Sequence, residues 1–149
     1  MRKKLLVLAC VIVVAALAVP VINLVQGKPA GTALSAKSAA DPAMAKVALV
    51  LEGKCAHCHV PGTPAPFYAS FPGASALIKR DVSYGLIRMD LVAELFPGNG
   101  MKPSEPALAK IEREISLGDM PPATYLIAHW TSKVTAAEKD EIWQWISNT

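Results

Sequence analysis

Cys55-Ala56-His57-Cys58-His59 is the stretch on which the reading of the whole chain turns. Two thiols three positions apart lie on one turn of helix. They are spaced to reach the two vinyl groups along one porphyrin edge, while the next residue projects an imidazole toward the iron. C-x-x-C-H in this form is the attachment signature of c-type haem. Other chemistries fit less well. A zinc site asks for four ligands, and the only other cysteine, Cys10, lies in an apolar run. A redox-active C-x-x-C belongs in a βαβ setting, which the chain lacks, and a plain disulfide has no use for His59. The motif therefore implies one covalently attached haem c, held by Cys55 and Cys58, with His59 as the first iron ligand. A porphyrin also supplies the large apolar body that a chain with 6% aromatic residues otherwise wants.

Downstream of the motif the question is the second iron ligand. Gly118-Asp119-Met120-Pro121-Pro122 places a methionine beside two prolines. Those prolines restrict backbone φ and remove N–H donors, which stiffens a loop against one haem face. Met120 is accordingly expected as the distal ligand, and a thioether there would favour ferrous iron. Its bland reading is a core methionine after a helix end. His129 is the alternative distal ligand and would make a bis-His haem. His57 points away from the iron on its side of the turn. Met89 reads as helix core, and Met101 lies in a Gly/Pro loop. Tyr125, Trp130, Trp143 and Trp145 are candidates for haem packing, with ordinary core the preferred reading. Trp143 and Trp145 stand roughly 200° apart on a helix and do not share a face. Lys79, Arg80 and Arg88 read as a solvated helix face in preference to propionate partners.

Upstream, Arg2-Lys3-Lys4 precede an uncharged run from Leu5 to Val25. A basic cluster before such a run keeps its own end in the cytoplasm and sends the rest of the chain out. Two outcomes are open. Ala16-Leu17-Ala18 is an A-x-A cleavage site, which would release a soluble periplasmic protein. The apolar run continues past it, however, and its length of about 31 Å as a helix suffices to cross a bilayer, so an uncleaved anchor is preferred. Pro20 kinks such a helix without forbidding it. Cys10 is read as an apolar residue of this segment. Residues 1–27 are thus a signal peptide or anchor, 28–41 a flexible linker rich in Ala, Ser, Gly, Pro and Lys, and 42–149 the functional domain. Among 15 basic and 12 acidic residues, Arg2, Lys3 and Lys4 carry the whole positive excess. The exported part is near neutral, and no nucleic-acid partner is expected.

The domain is expected to be all-α. Asp41-Pro42 starts a helix with Met44, Val47, Ala48 and Leu51 on one face, running to about Lys54. Pro61, Pro64 and Pro66 impose a loop. Leu77, Ile78 and Val82 mark a helix over 74–84, with Gly85 as punctuation. A short segment covers Met89 to Phe96 and ends at Pro97-Gly98-Asn99-Gly100. Ser104 caps a helix bearing Leu108, Ile111 and Ile115, which Gly118 ends. Thr135-Ala136-Ala137-Glu138 is a capping box opening a last helix with Ile142, Trp145 and Ile146 on one face. No segment alternates at period two.

The order of these pieces resembles the mono-haem cytochrome c fold: a helix before C-x-x-C-H, an M-P-P loop and a final helix with aromatics. More closely, residues 47–147 resemble the small membrane-anchored haem-binding domain family. The stretches that carry this likeness are Pro66-Phe67-Tyr68, Ile78-Lys79-Arg80-Asp81-Val82, Gly118-Asp119-Met120-Pro121-Pro122-Ala123-Thr124-Tyr125 with His129, and Thr135-Ala136-Ala137-Glu138. The chain departs from the family in its first loop, where Ala65 and Phe67 replace a Trp-Pro-Trp-Tyr form. The family domain also occurs beside di-haem cytochrome c peroxidase modules. The resemblance therefore implies redox protein partners, either such a peroxidase or a membrane electron-transfer complex.

Taken together these features predict an exported mono-haem c-type cytochrome that carries electrons and is not itself an enzyme. It would sit on the periplasmic side of the inner membrane. Two other classes stay open: an open-site haem enzyme or sensor in which Met120 leaves the iron free, and a bis-His haem subunit of a larger redox complex.

Overall fold

The computed structural model describes residues 2–98 and 102–149. It is helical throughout, with no strand among the described residues. The order is α1 (Arg2–Gln26), α2 (Ala33–Ser38), α3 (Pro42–His59), a 3-10 turn (Phe67–Ser70), α4 (Ala74–Arg88), α5 (Leu91–Leu95), α6 (Glu105–Leu117), α7 (Ala123–Ala128) and α8 (Ala136–Asn148). Met101, one of the two weaker methionine candidates, and the Asn99-Gly100 end of the preceding turn lie outside the described residues.

Local chemistry starts and stops most helices where the sequence says it should. The Asp41 carboxylate accepts from the Ala43 and Met44 amides, and Pro42 opens α3. Ser104 caps α6, and Gly118 closes it in the left-handed region at φ 72°. Thr135 and Glu138 form the reciprocal capping box of α8. Each such cap satisfies amides or carbonyls that a helix end leaves without partners.

Four features differ from the sequence reading. First, α3 runs on to His59, because nothing between Lys54 and the Val60–Gly62 break interrupts it. The whole C-x-x-C-H motif is therefore helical. Second, Gly85 does not end α4; it lies inside the helix, which continues to Arg88. A Cβ at Gly85 would overlap the Cys58 carbonyl, so glycine here permits α4 to cross α3 at close range. Third, α7 follows Pro122, whose φ suits a helix entry. Fourth, residues 28–41, expected as a flexible linker, hold α2. Its Leu34 is fully buried against α3, and the Thr32 amide and Ser35 hydroxyl donate to the Glu52 carboxylate.

The core is built from α2, α3, α5, α6 and α8. Leu34, Met44, Val47, Leu51, Met89, Leu91, Leu95, Ile111, Ile115, Ile142 and Trp145 pack there, with Trp143 and Ile146 against them. Lys54, one residue before the motif, is buried too. Its ammonium donates to the Thr131 and Lys133 carbonyls at 2.8 and 2.9 Å and pairs with Glu138 at 3.2 Å. That clamp ties the entry to α8 onto the last turns of α3. The N-terminal helix is long and apolar enough to cross a membrane, and little of it is buried apart from Pro20 and Asn23 near its end.

Candidate functional site

The last turn of α3 carries all the residues of the attachment motif. Cys55 and Cys58 are both free thiols, half-buried, on one face of that turn. Burial, with Cys58 nearby and Lys54 opposing, pushes the Cys55 thiol up to about 12. Burial and then Asp81 raise Cys58 as well. Burial thus disfavours the thiolate form of both side chains.

His59 ends the helix, and its Nδ1 lies 2.9 Å from the Met89 carbonyl oxygen. A carbonyl only accepts, so Nδ1 must carry the proton. The Nε2 lone pair is then the free one, and the ring is oriented by a backbone atom. This is the arrangement by which a protein fixes the tautomer of a metal-ligating histidine. Met89, read from sequence as core, is buried as expected and also supplies this acceptor.

His57, two residues earlier, faces a different set of groups. Its Nδ1 is 2.5 Å from the Tyr125 hydroxyl. Tyr125 stacks on His129 with ring centroids 4.1 Å apart and 8° between planes. His129 Nε2 meets the Tyr68 hydroxyl at 2.7 Å. The His57 and His129 rings themselves lie 5.4 Å apart. Burial lowers His57, and burial followed by His57 pushes His129 down to about 4. Burial also raises both tyrosines. At neutral pH the four side chains form an uncharged, hydrogen-bonded knot. It fastens the 3-10 turn, through Tyr68, and α7, through Tyr125, to the attachment turn.

Met120 lies on the five-residue connection between α6 and α7. Gly118 fixes one end of that connection and Pro122 caps the helix at the other. Its side chain is outside the packed core and 40% exposed. The structure thus gathers Cys55, Cys58 and His59 on one turn, ties His57 to His129, and leaves Met120 on a separate braced loop. Lys79, Arg80 and Arg88 are exposed, with Arg80 paired to Asp81 at the surface, as a solvated face requires.

Two contributors escaped the sequence reading. Glu52 and Lys54 are charged residues buried on α3, and an apolar helix interrupted by two charges so near the motif was the available sign. Tyr125 and His129 were each noted, and their i, i+4 spacing is what allows the two rings to stack once α7 forms.

The donor set fits a covalently held porphyrin. Two unpaired thiols sit one turn apart, and an imidazole with a free Nε2 follows them. The walls fit as well. Helix α4 buries only Gly85, although Leu77, Tyr84 and Ile87 give it large apolar side chains. Helix α4 crosses the attachment turn at Cys58 and presents apolar surface that the rest of the protein does not cover, as a large planar apolar ligand requires. Among the described residues, no three His, Cys, Asp or Glu side chains cluster in a way that would hold a metal ion by themselves.

Comparison with known proteins points to haem as the bound group. The model of a family described as a haem-binding domain matches residues 13–148. The chain is also 36% identical over 97 residues to the cytochrome c peroxidase Ccp of Escherichia coli (strain K12). That match covers 64% of this chain but 21% of the peroxidase, so the chain spans about a fifth of that relative. No solved structure matches significantly.

Proposed function

The chain belongs to the haem-binding domain family, and on that footing we propose that it is an exported, membrane-anchored mono-haem c-type cytochrome that carries electrons between redox proteins. Cys55 and Cys58 would hold the haem through thioethers, and His59 and Met120 would bind the iron. When bound, the haem supplies an iron that alternates between ferric and ferrous states.

The chain's own residues do the rest. The Met89 carbonyl holds the Nδ1 proton of His59 and so keeps Nε2 in its ligating form. That hydrogen bond is the observation that carries the proposal. The knot of His57, Tyr125, His129 and Tyr68 braces the loops on either side of the attachment turn without adding charge. Because His129 is already engaged by Tyr68 and stacked on Tyr125, Met120 is the better distal ligand of the two. A sixth ligand closes the iron to exogenous molecules, which suits a carrier and not an enzyme. The matched relative is a peroxidase by name. A peroxidase-type redox protein, or a membrane electron-transfer complex, is accordingly the proposed partner. Helix α1 would hold the domain on the periplasmic face of the inner membrane.

The test is the full chain co-expressed with haem-attachment machinery. The expected product is one haem heavier than the bare polypeptide and low-spin in both oxidation states. Met120→Ala should convert the ferrous form to one that binds carbon monoxide, while His129→Ala should leave the iron six-coordinate. A colourless product at bare-chain mass would refute covalent attachment. A spectrum disturbed by His129→Ala alone would reassign the distal ligand.

A further inference from the structure

The apolar run Leu5–Val25 does not leave the protein freely. On one face of α1, Pro20 and Asn23 are buried, and the Asn23 amide donates to the Ala128 carbonyl, the last residue of α7, at 2.7 Å. The neighbouring residues Val21, Leu24 and Val25 remain exposed. Asn23 thus lies within the stretch long enough to span the hydrocarbon, two residues before its end. A polar amide at that depth needs an internal partner, and Ala128 supplies it. The carbonyl that satisfies it also fixes a height. Whatever adjoins Ala128 in sequence stands within a few ångströms of the level of Asn23, where hydrocarbon gives way to headgroups.

What adjoins Ala128 is apolar and uncovered. Ile127 is 71% exposed and Trp130 is 52% exposed. Neither joins the core. Tryptophan, with an apolar body and one N–H donor, is the side chain best suited to the headgroup boundary. We infer that α7 and the residue pair Ile127–Trp130 are a lipid-docking surface, seating the haem domain against the outer leaflet beside its own anchor. This rests on the anchor reading of α1 given above. It adds that the domain does not swing on a leash. The knot through Tyr125 and His129 links α7 to the attachment turn, so docking α7 also fixes which side of that turn faces the membrane.

The experiment uses the full holoprotein, labelled with 5-fluorotryptophan, in nanodiscs of phosphatidylethanolamine and phosphatidylglycerol. The three fluorine resonances are assigned with Trp130→Phe and Trp143→Phe variants. Their linewidths are compared between discs with and without a lipid carrying a nitroxide near its headgroup, so that the contribution of the haem cancels. Trp130, set at the boundary, should broaden at least about threefold more than Trp143 and Trp145 on α8. A chain that does not elute with the discs overturns the anchor and this inference together. A chain that stays in the discs with Trp130 no broader than Trp145 overturns the docking alone. An Asn23→Ala variant that stays in the discs and retains its haem spectrum should lose part of the Trp130 effect.

Discussion

The helices of this domain divide into two groups that treat apolar surface differently. In the group α2, α3, α5, α6 and α8, side chains such as Leu34, Val47 and Ile142 have no exposure at all, and two charges, Glu52 and Lys54, are buried with hydrogen-bond partners. In the group α4, the 3-10 turn and α7, one glycine is the only buried residue, and the contacts that hold it together are polar or aromatic. The first group is a finished core. The second is a looser set of elements fastened at a few points. Hydrophobic burial, at roughly 25 cal/mol per Å² of surface removed from water, is the main force that fixes helices in place. Elements with little of it depend more on what else they pack against.

The most direct way to break this contrast is to prevent the proposed covalent haem attachment. A Cys55→Ser/Cys58→Ser variant, produced without covalent haem, should keep slow amide exchange in α3, α6 and α8 but lose it in α4 and α7. The expected difference is on the order of a hundredfold in protection, read by hydrogen exchange and mass spectrometry. Equal protection in both groups would show that α4 and α7 are stable on their own. The next largest effect tests the finished side. Leu34→Ala should lower the unfolding free energy by about 3 kcal/mol in denaturant titration, because it empties a fully buried site where α2 meets α3. A change below about 0.5 kcal/mol would return residues 28–41 to the status of a loose linker.

The smallest effect concerns the clamp at α8. Burial alone would raise the Glu138 carboxyl. The Thr135 amide, Lys54 and the Thr135 hydroxyl outweigh it, and its pKa in the folded protein lies below the ordinary value. A depressed acid contributes stability that is complete above the unfolded-state value and is lost as pH falls through the folded-state value. Stability should therefore decline as the pH drops below about 4.5. Because the Glu138 side chain keeps part of its surface in solvent, which screens its pairing with Lys54, its share should stay at about 1 kcal/mol. Lys54→Met should flatten that part of the acid titration, measured as thermal midpoint against pH.

How far these groups were legible in the sequence differs in the same way. The caps at Asp41, Ser104 and Thr135, the stop at Gly118 and the all-helical class could be read directly. Each depends on a side chain meeting a backbone group within a few residues of it. The shared turn of Cys55, Cys58 and His59 was legible for the same reason. Gly85 was misread because a glycine in a helical pattern looks like an ending. Its reason lies on another helix, at the Cys58 carbonyl. Helix α2 was misread because its six residues show too little periodicity, and only Glu52 and the core beneath Leu34 hold it.

The sequence by itself determined the attachment motif, the apolar span before it and the places where helices begin and stop, since these are matters of local geometry and composition. Only the tertiary structure decided which carbonyl orients His59, that His57 and His129 are joined through tyrosines, and that the end of α1 lies on α7. Those pairings join residues separated by 30 to 105 positions. No local rule selects them, because the partners are brought together only when the helices pack.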